Sequence, residues 1–225
     1  MKHAVLFSLA AMLAACVPMH GSQTPHTSAA ADLESKTVAL IAVESGPAHA
    51  YCSGVWVGQE AILTANHCVD DNELGDRIAY VTRGDLDAGS SDELEALRVG
   101  RLVARDEDHD LALIHAKLPP AHAVAAVGAP PCVGDVVQTM GHPRGLWWSY
   151  SAGNVAAIRY ADMGYPMMWW VQSTAPISPG NSGGGLFNQA GDLVGVAHSY
   201  IPTRAENVNF YVDARYVKAF LAEVM

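Results

Sequence analysis

The sequence predicts an all-β protein closed by one terminal helix, and three observations carry that expectation. Short apolar or β-branched segments recur along most of its 225 residues, for example at 37–42, 98–103 and 135–140. Turn-forming residues separate them at fairly regular intervals, the pattern of a sandwich or barrel. Near the end, Asp213 can cap a helix whose apolar face is Tyr216, Val217, Phe220, Leu221 and Val224.

The first residues stand apart from this pattern. Lys2 and His3 precede an apolar run that ends in Leu13-Ala14-Ala15, the charge, length and small-residue order of a secretory signal over residues 1–15. The run is too short for a membrane span. The tripeptide before Cys16 resembles a bacterial lipobox, which implies acylation of Cys16 and a lipid anchor in a membrane of the cell envelope. Residues 16–35, rich in Pro, Ser, Thr and Ala, are expected to form a flexible tether, because that composition buries too little apolar surface to fold.

Charge narrows the partners. Loss of Lys2 with the signal takes the net charge from −10 to −11, so nucleic acid and anionic lipid surfaces should repel the chain. The acidic runs at 70–73 and 91–95 match no oxygen-ligand spacing and are expected to be solvated faces. The ten histidines show no zinc spacing, so neither a metal nor another cofactor is invoked.

Three motifs carry chemistry. Cys52 to Leu63 reads as two short apolar strands turning at Gly58-Gln59-Glu60, and the second runs into Thr64-Ala65-Asn66-His67-Cys68. A lone His at a strand end is more often a structural hydrogen-bonder. Here its neighbour Cys68 has a plausible disulfide partner in Cys52, which would pin the loop carrying the imidazole. If Cys16 is acylated, Cys132 is left as a spare thiol, expected to be buried.

Asp110 stands between the polar stretch 105–109 and the apolar run that begins at Leu111. A carboxylate at that boundary can be desolvated and still accept a bond from a histidine Nδ1–H, whereas Asp106, Glu107 and Asp108 read as a solvated loop and His109 as a bystander. Ser182 lies in Pro179-Gly180-Asn181-Ser182-Gly183-Gly184-Gly185, where glycines allow a tight turn that brings backbone N–H groups close to a carbonyl. A hydroxyl is a poor nucleophile at neutral pH and needs an imidazole to take its proton and a carboxylate to orient that imidazole. His67, Asp110 and Ser182 supply these parts, with the amides of Gly180 and Ser182 as candidate oxyanion donors.

These strings, with Gly-His-Pro-Arg-Gly at 141–145 and Val171 to Leu186, resemble the trypsin/chymotrypsin-like serine peptidases, and within them the HtrA-type (Deg) branch, from about Leu33 to the end. The resemblance implies two packed six-stranded antiparallel β-barrels, residues 36–122 carrying His67 and Asp110 and residues 123–225 carrying Ser182 and the terminal helix. It implies a serine endopeptidase acting on proteins or peptides, with a primary pocket walled by 173–178 and 196–200. Thr174, Ile177, His198 and Tyr200 are the candidate pocket residues, and the absence of Asp or Glu from both stretches removes the countercharge for Lys or Arg. His198 is then a candidate receptor for an acidic side chain, as in glutamyl-specific relatives, or a packing residue behind the site.

The chain departs from the pattern in three places. The Cys52 and Cys68 pair is more similar to the trypsin-like branch. Asn181 replaces the Asp that pairs with a freshly cut N-terminus in zymogens, so no such activation switch is expected. Only 43 residues follow Ser182, too few for the peptide-binding PDZ module common in HtrA-type proteins, so substrate selection without it is expected. A catalytically silent, lipid-tethered binding protein and an esterase remain as alternatives. The segments Trp147-Trp148 and Met167-Met168-Trp169-Trp170 are read either as core or as an exposed surface for substrate or bilayer.

Overall fold

The computed structural model describes residues 29–42, 49–87, 97–200 and 208–225. The predicted signal, Cys16 and the acidic run at 91–95 lie outside them. Twelve strands form two closed antiparallel barrels of six. In the first, β1 (Thr37–Ala42), β2 (His49–Gly58), β3 (Ala61–Thr64), β4 (Arg77–Val81), β5 (Arg98–Asp106) and β6 (Leu111–His115) close in the order β1-β2-β3-β6-β5-β4. The second contains β7 (Val136–Gly141), β8 (Ser149–Ala161), β9 (Met168–Ser173), β10 (Gly185–Asn188), β11 (Leu193–Tyr200) and β12 (Asn209–Asp213), closing as β10-β11-β12-β9-β8-β7. Closure leaves no unpaired sheet edge in either.

Alternation of side chains along the strands gives each barrel its own interior. Val38, Leu40, Trp56, Ile62, Leu102 and Ile114 fill the first, and Val137, Val155, Val171, Leu186, Val194 and Tyr211 the second. A third cluster joins Val55, Leu63, Leu111 and Leu113 of the first barrel to Met140, Met168, Trp170, Phe187, Val196 and Phe210 of the second. This shared apolar seam holds the barrels face to face, so loops from both meet at its margin.

Residues 29–35, read from the sequence as the end of a flexible tether, are helical. They belong to α1 (Ala29–Lys36), where Leu33 is only 1% exposed and packs in the shared seam. Lys36 Nζ donates to the Gly191 carbonyl at 3.1 Å, and the Ala123 amide donates to the Ser35 carbonyl at 3.0 Å. One leucine and these anchors outweigh a composition that reads as disordered.

After a short helix α2 (Arg83–Asp87) in the first barrel, the chain ends in α3 (Ala214–Val224). Asp213 caps it by accepting from the Arg215 amide at 2.9 Å, and Val217 and Phe220 turn into the core while Val224 is exposed. The Trp and Met pairs divide between the two readings. Trp148, Met168 and Trp170 are buried, whereas Met167 and Trp169 are exposed, the latter with the Arg215 guanidinium 5.1 Å from its ring. Cys132 is an exposed free thiol, not a buried one; it lies in a run of exposed residues, 132–136, where its own amide donates to Asp135 at 2.8 Å.

Candidate active site

His67 sits in a 3-10 turn, Asn66–Cys68, directly after β3. Two restraints hold that turn. A disulfide joins Cys68 to Cys52 on β2, and Arg105 on β5 donates from Nε to the Asn66 side chain at 2.8 Å and from a terminal nitrogen to the Asn72 carbonyl at 2.8 Å. Asp110 immediately precedes β6 in a left-handed backbone conformation, φ 55°, which the short polar side chain of Asp tolerates better than most.

The carboxylate of Asp110 is fully buried, and the His67 side chain is 32% exposed. Asp110 Oδ1 accepts from the His67 amide at 2.9 Å, and Oδ2 accepts from His67 Nδ1 at 2.8 Å. An ionised carboxylate only accepts, so Nδ1 carries the proton and Nε2 presents its lone pair. Among the described residues, His67 Nε2 has no hydrogen-bond partner. Burial works against imidazolium, but the bond and charge of Asp110, with Asp70 at longer range, hold the His67 pKa above its ordinary value. Burial likewise works against the Asp110 charge, yet bonds from His198 and His67 hold that carboxyl well below the usual range.

Ser182 lies in the turn between β9 and β10. Gly180 (φ 103°) and Gly183 (φ 80°) are both left-handed, and a Cβ would stand 2.2 Å from the His142 carbonyl at the first and 2.2 Å from Thr64 Oγ1 at the second. Only glycine fits at either position. The amides of Gly180 and Ser182 donate to no group among the described residues, while Asn181, Gly183 and Gly184 spend theirs on Ser178, Ala197 and Asn181. Ser182 Oγ donates to the His198 carbonyl at 3.5 Å, and the His67 ring and the Ser182 hydroxyl share no hydrogen bond in this state.

Two groups stand here that sequence reasoning assigned elsewhere or missed. His198, the candidate receptor for an acidic side chain, spends its Nδ1 on Asp110 Oδ2 at 2.6 Å. The reason is a bulge. In the pairing of β11 with β12, Ala197 faces Tyr211 and Ser199 faces Phe210, leaving His198 as the extra residue whose side chain is re-aimed. His142 of the Gly-His-Pro-Arg-Gly string is fully buried under the serine turn, and burial pushes its pKa down to about 3. Ser53 Oγ gives its one proton to the Gly180 carbonyl at 2.8 Å, so His142 Nδ1, 3.0 Å away, is the donor to that hydroxyl.

Thr174 is exposed, and its hydroxyl accepts from the Asn154 amide at 2.9 Å. Ile177 packs into the second barrel's own core, and the Tyr200 side chain lies outside the described residues. His67, Asp110 and His198 also form a set of the kind that ligates metals. Their separations of 2.6 and 2.8 Å are those of hydrogen bonds, whereas ligands on one tetrahedral zinc stand about 3.3 Å apart.

Two closed barrels sharing a seam, with a histidine–carboxylate pair on one and a glycine-flanked serine on the other, define a two-barrel serine hydrolase architecture. The chain belongs to the family described as the trypsin-like peptidase domain, which matches residues 52–196. It is 33% identical over 131 residues to serine endoprotease DegS of Haemophilus influenzae, covering 55% of this chain and 38% of that one. It is 34% identical over 149 residues to a probable periplasmic serine endoprotease, DegP-like, of Brucella suis, covering 64% of this chain and 26% of that one. A solved HtrA-type protease, AlgW with tripeptide, superposes with a TM-score of 0.72 at 22% identity over 87% of this chain and 62% of that chain, a likeness of fold. The chain thus spans well under half the length of these curated relatives.

Proposed function

We propose that the protein is a serine endopeptidase that hydrolyses peptide bonds in proteins, with His67, Asp110 and Ser182 as its triad. The observation that carries this reading is the His67–Asp110 pair, whose 2.8 Å bond leaves Nε2 as an unspent base beside a serine turn with two unspent amides. Ser182 Oγ attacks the substrate carbonyl once its hydroxyl turns from the His198 carbonyl to His67. Catalytic hydrogen bonds in substrate-free sites are commonly unformed in this way. His67 takes the proton, Asp110 stabilises the imidazolium, and the Gly180 and Ser182 amides receive the oxyanion. His67 then returns the proton to the leaving amine, and water, deprotonated by the same imidazole, releases the acyl group.

The names of the relatives, serine endoprotease and periplasmic serine endoprotease, agree with this reading and with an exported protein of the bacterial envelope. The Leu13-Ala14-Ala15-Cys16 string supports a lipid anchor on Cys16 as its means of retention. Among the described residues no helix is long and apolar enough to cross a membrane.

The test is fluorophosphonate labelling of the purified protein and of Ser182→Ala, followed by casein hydrolysis. Labelling confined to the wild type, with casein cleaved, is the expected result. An unlabelled wild type would identify a silent binding protein, and labelling without casein cleavage an esterase.

A further inference from the structure

His198 touches every member of the proposed triad. Its Nδ1 donates to Asp110 Oδ2 at 2.6 Å, its carbonyl accepts from Ser182 Oγ at 3.5 Å, and its ring stands edge-on to His67 with centroids 5.6 Å apart. The ring is not left to choose its own orientation. Trp170 lies 4.8 Å away on one side and Tyr165 stands edge-on at 5.0 Å, and the side chain is only 9% exposed. The titratable groups that face it are Asp110, His67 and Tyr165, with Asp70 acting at longer range on His67 and Tyr165. Burial, then the charge of Asp110 and hydrogen bonding to it, push the Tyr165 phenol up, so it stays neutral beside the carboxylate and adds no competing anion.

Asp110 belongs to the first barrel and His198 to the second. A carboxylate that accepts from His67 alone could swing with the turn that carries it. Held also by His198, its Oδ2 is fixed relative to the strand that leads back to Ser182. Resting on the peptidase reading above, we propose that His198 is a positioning residue. Its Nδ1–H, supplied across the barrel seam by the β11 bulge, locks the Asp110 carboxylate in the orientation that presents His67 Nε2 to Ser182. A neutral imidazole can carry its one N–H at Nδ1, so the anchor does not require a second positive charge beside His67.

The closing experiment uses the full chain with His198→Phe, which keeps a ring against Trp170 but has no donor, and His198→Asn, whose amide N–H can stand where Nδ1 stood. Long-range ¹H–¹⁵N spectra of the wild type at pH 8 should show His198 as the Nδ1–H tautomer. The Phe variant should lose about tenfold to a hundredfold in kcat with little change in KM, the scale of a hydrogen bond to a charged group. The acid limb of kcat/KM should move to higher pH, because His67 then has the carboxylate to itself. The Asn variant should recover to within about threefold of wild type.

An Nε2–H tautomer, a Phe variant with wild-type kcat, a loss with an unmoved acid limb, or an Asn variant as poor as Phe would each overturn the proposal. Should the Phe variant fail to fold, the tautomer and the Asn variant decide alone. A wild type unreactive towards fluorophosphonate would remove the peptidase reading, while the tautomer would still report on the His198–Asp110 bond.

Discussion

The carbonyl oxygen of Ser182 accepts a hydrogen bond from the backbone amide of Ser53 at 2.7 Å. Ser53 is a β2 residue of the first barrel, on the strand that pairs directly with the one leading to His67, and Ser182 belongs to the second. The same Ser53 sends its hydroxyl to the Gly180 carbonyl at 2.8 Å. The turn bearing the proposed nucleophile is therefore sutured to the barrel bearing the proposed base by both backbone and side chain of one residue.

Removing that side chain tests the suture. Ser53→Ala leaves the Gly180 carbonyl and His142 Nδ1 without their buried partner, and an unsatisfied buried group costs about 1–3 kcal/mol. The expected outcome is a lower melting temperature together with reduced kcat, because Gly180 is a proposed oxyanion donor. Chemical denaturation and steady-state kinetics on one preparation check both.

Asp110→Asn tests the orientation of the imidazole. The carboxylate accepts from the His67 amide, from His67 Nδ1 and from His198 Nδ1. An amide presents only one accepting oxygen, and its NH₂ facing His67 would favour the wrong tautomer. Turnover should fall by about 10⁴-fold, as losing the tautomer-setting Asp does in such triads, while the circular dichroism spectrum stays that of the wild type. Loss of less than about tenfold would place the carboxylate outside the chemistry.

Much of this site was legible because the chemistry needs residue types in a set order and leaves local traces. His67 stands at a strand end, Asp110 at a boundary between polar and apolar sequence and Ser182 among turn-forming glycines; recurrent short strands point to a sandwich or barrel, and the family resemblance makes it two barrels. His198 was legible as a residue but not in the contact it makes with Asp110. A bulge shifts register by one residue, and no side-chain pattern in Gly195 to Tyr200 announces where the extra residue falls. The helix at 29–36 was hidden for a related reason. Its stability comes from Leu33 entering a seam built by residues distant in sequence, a contact that local composition does not encode.

The pH dependence follows from two shifts of opposite sign. His67 has its folded pKa raised, so activity needing the neutral base should rise through a midpoint above the ordinary 6.5. The same shift means that His67 contributes stability fully below its unfolded pKa and loses it as pH climbs through the folded one. Asp110 has its folded pKa lowered, so its contribution is present above the ordinary 3.8 and disappears as pH falls through the depressed value. A kcat/KM profile from pH 5 to 9 checks the first, and a profile flat over that range would contradict it. Urea midpoints measured from pH 2 to 9 check the second, with His67→Gln flattening the neutral-to-basic limb.

The disulfide gives the last test, since it ties the His67 turn to β2 across a sequence separation of 16 residues with Cα atoms 6.1 Å apart. Closing a loop of that size stabilises by about 3 kcal/mol in the chain-entropy model. Cys52→Ser/Cys68→Ser should therefore melt roughly 6–12 °C lower for a domain of this size. Cys68 Sγ also stands 3.6 Å from the Ser182 carbonyl, so loosening it frees the base and the nucleophile turn together. Activity should fall more steeply with temperature in the variant than global unfolding alone accounts for. Alkylation of the native protein followed by peptide mapping provides the control: Cys132, exposed and unpaired, takes up label at once, and Cys52 and Cys68 react only after reductant. Label on Cys52 or Cys68 without reductant, or a variant that melts with the wild type, would show that the bridge does not hold the turn.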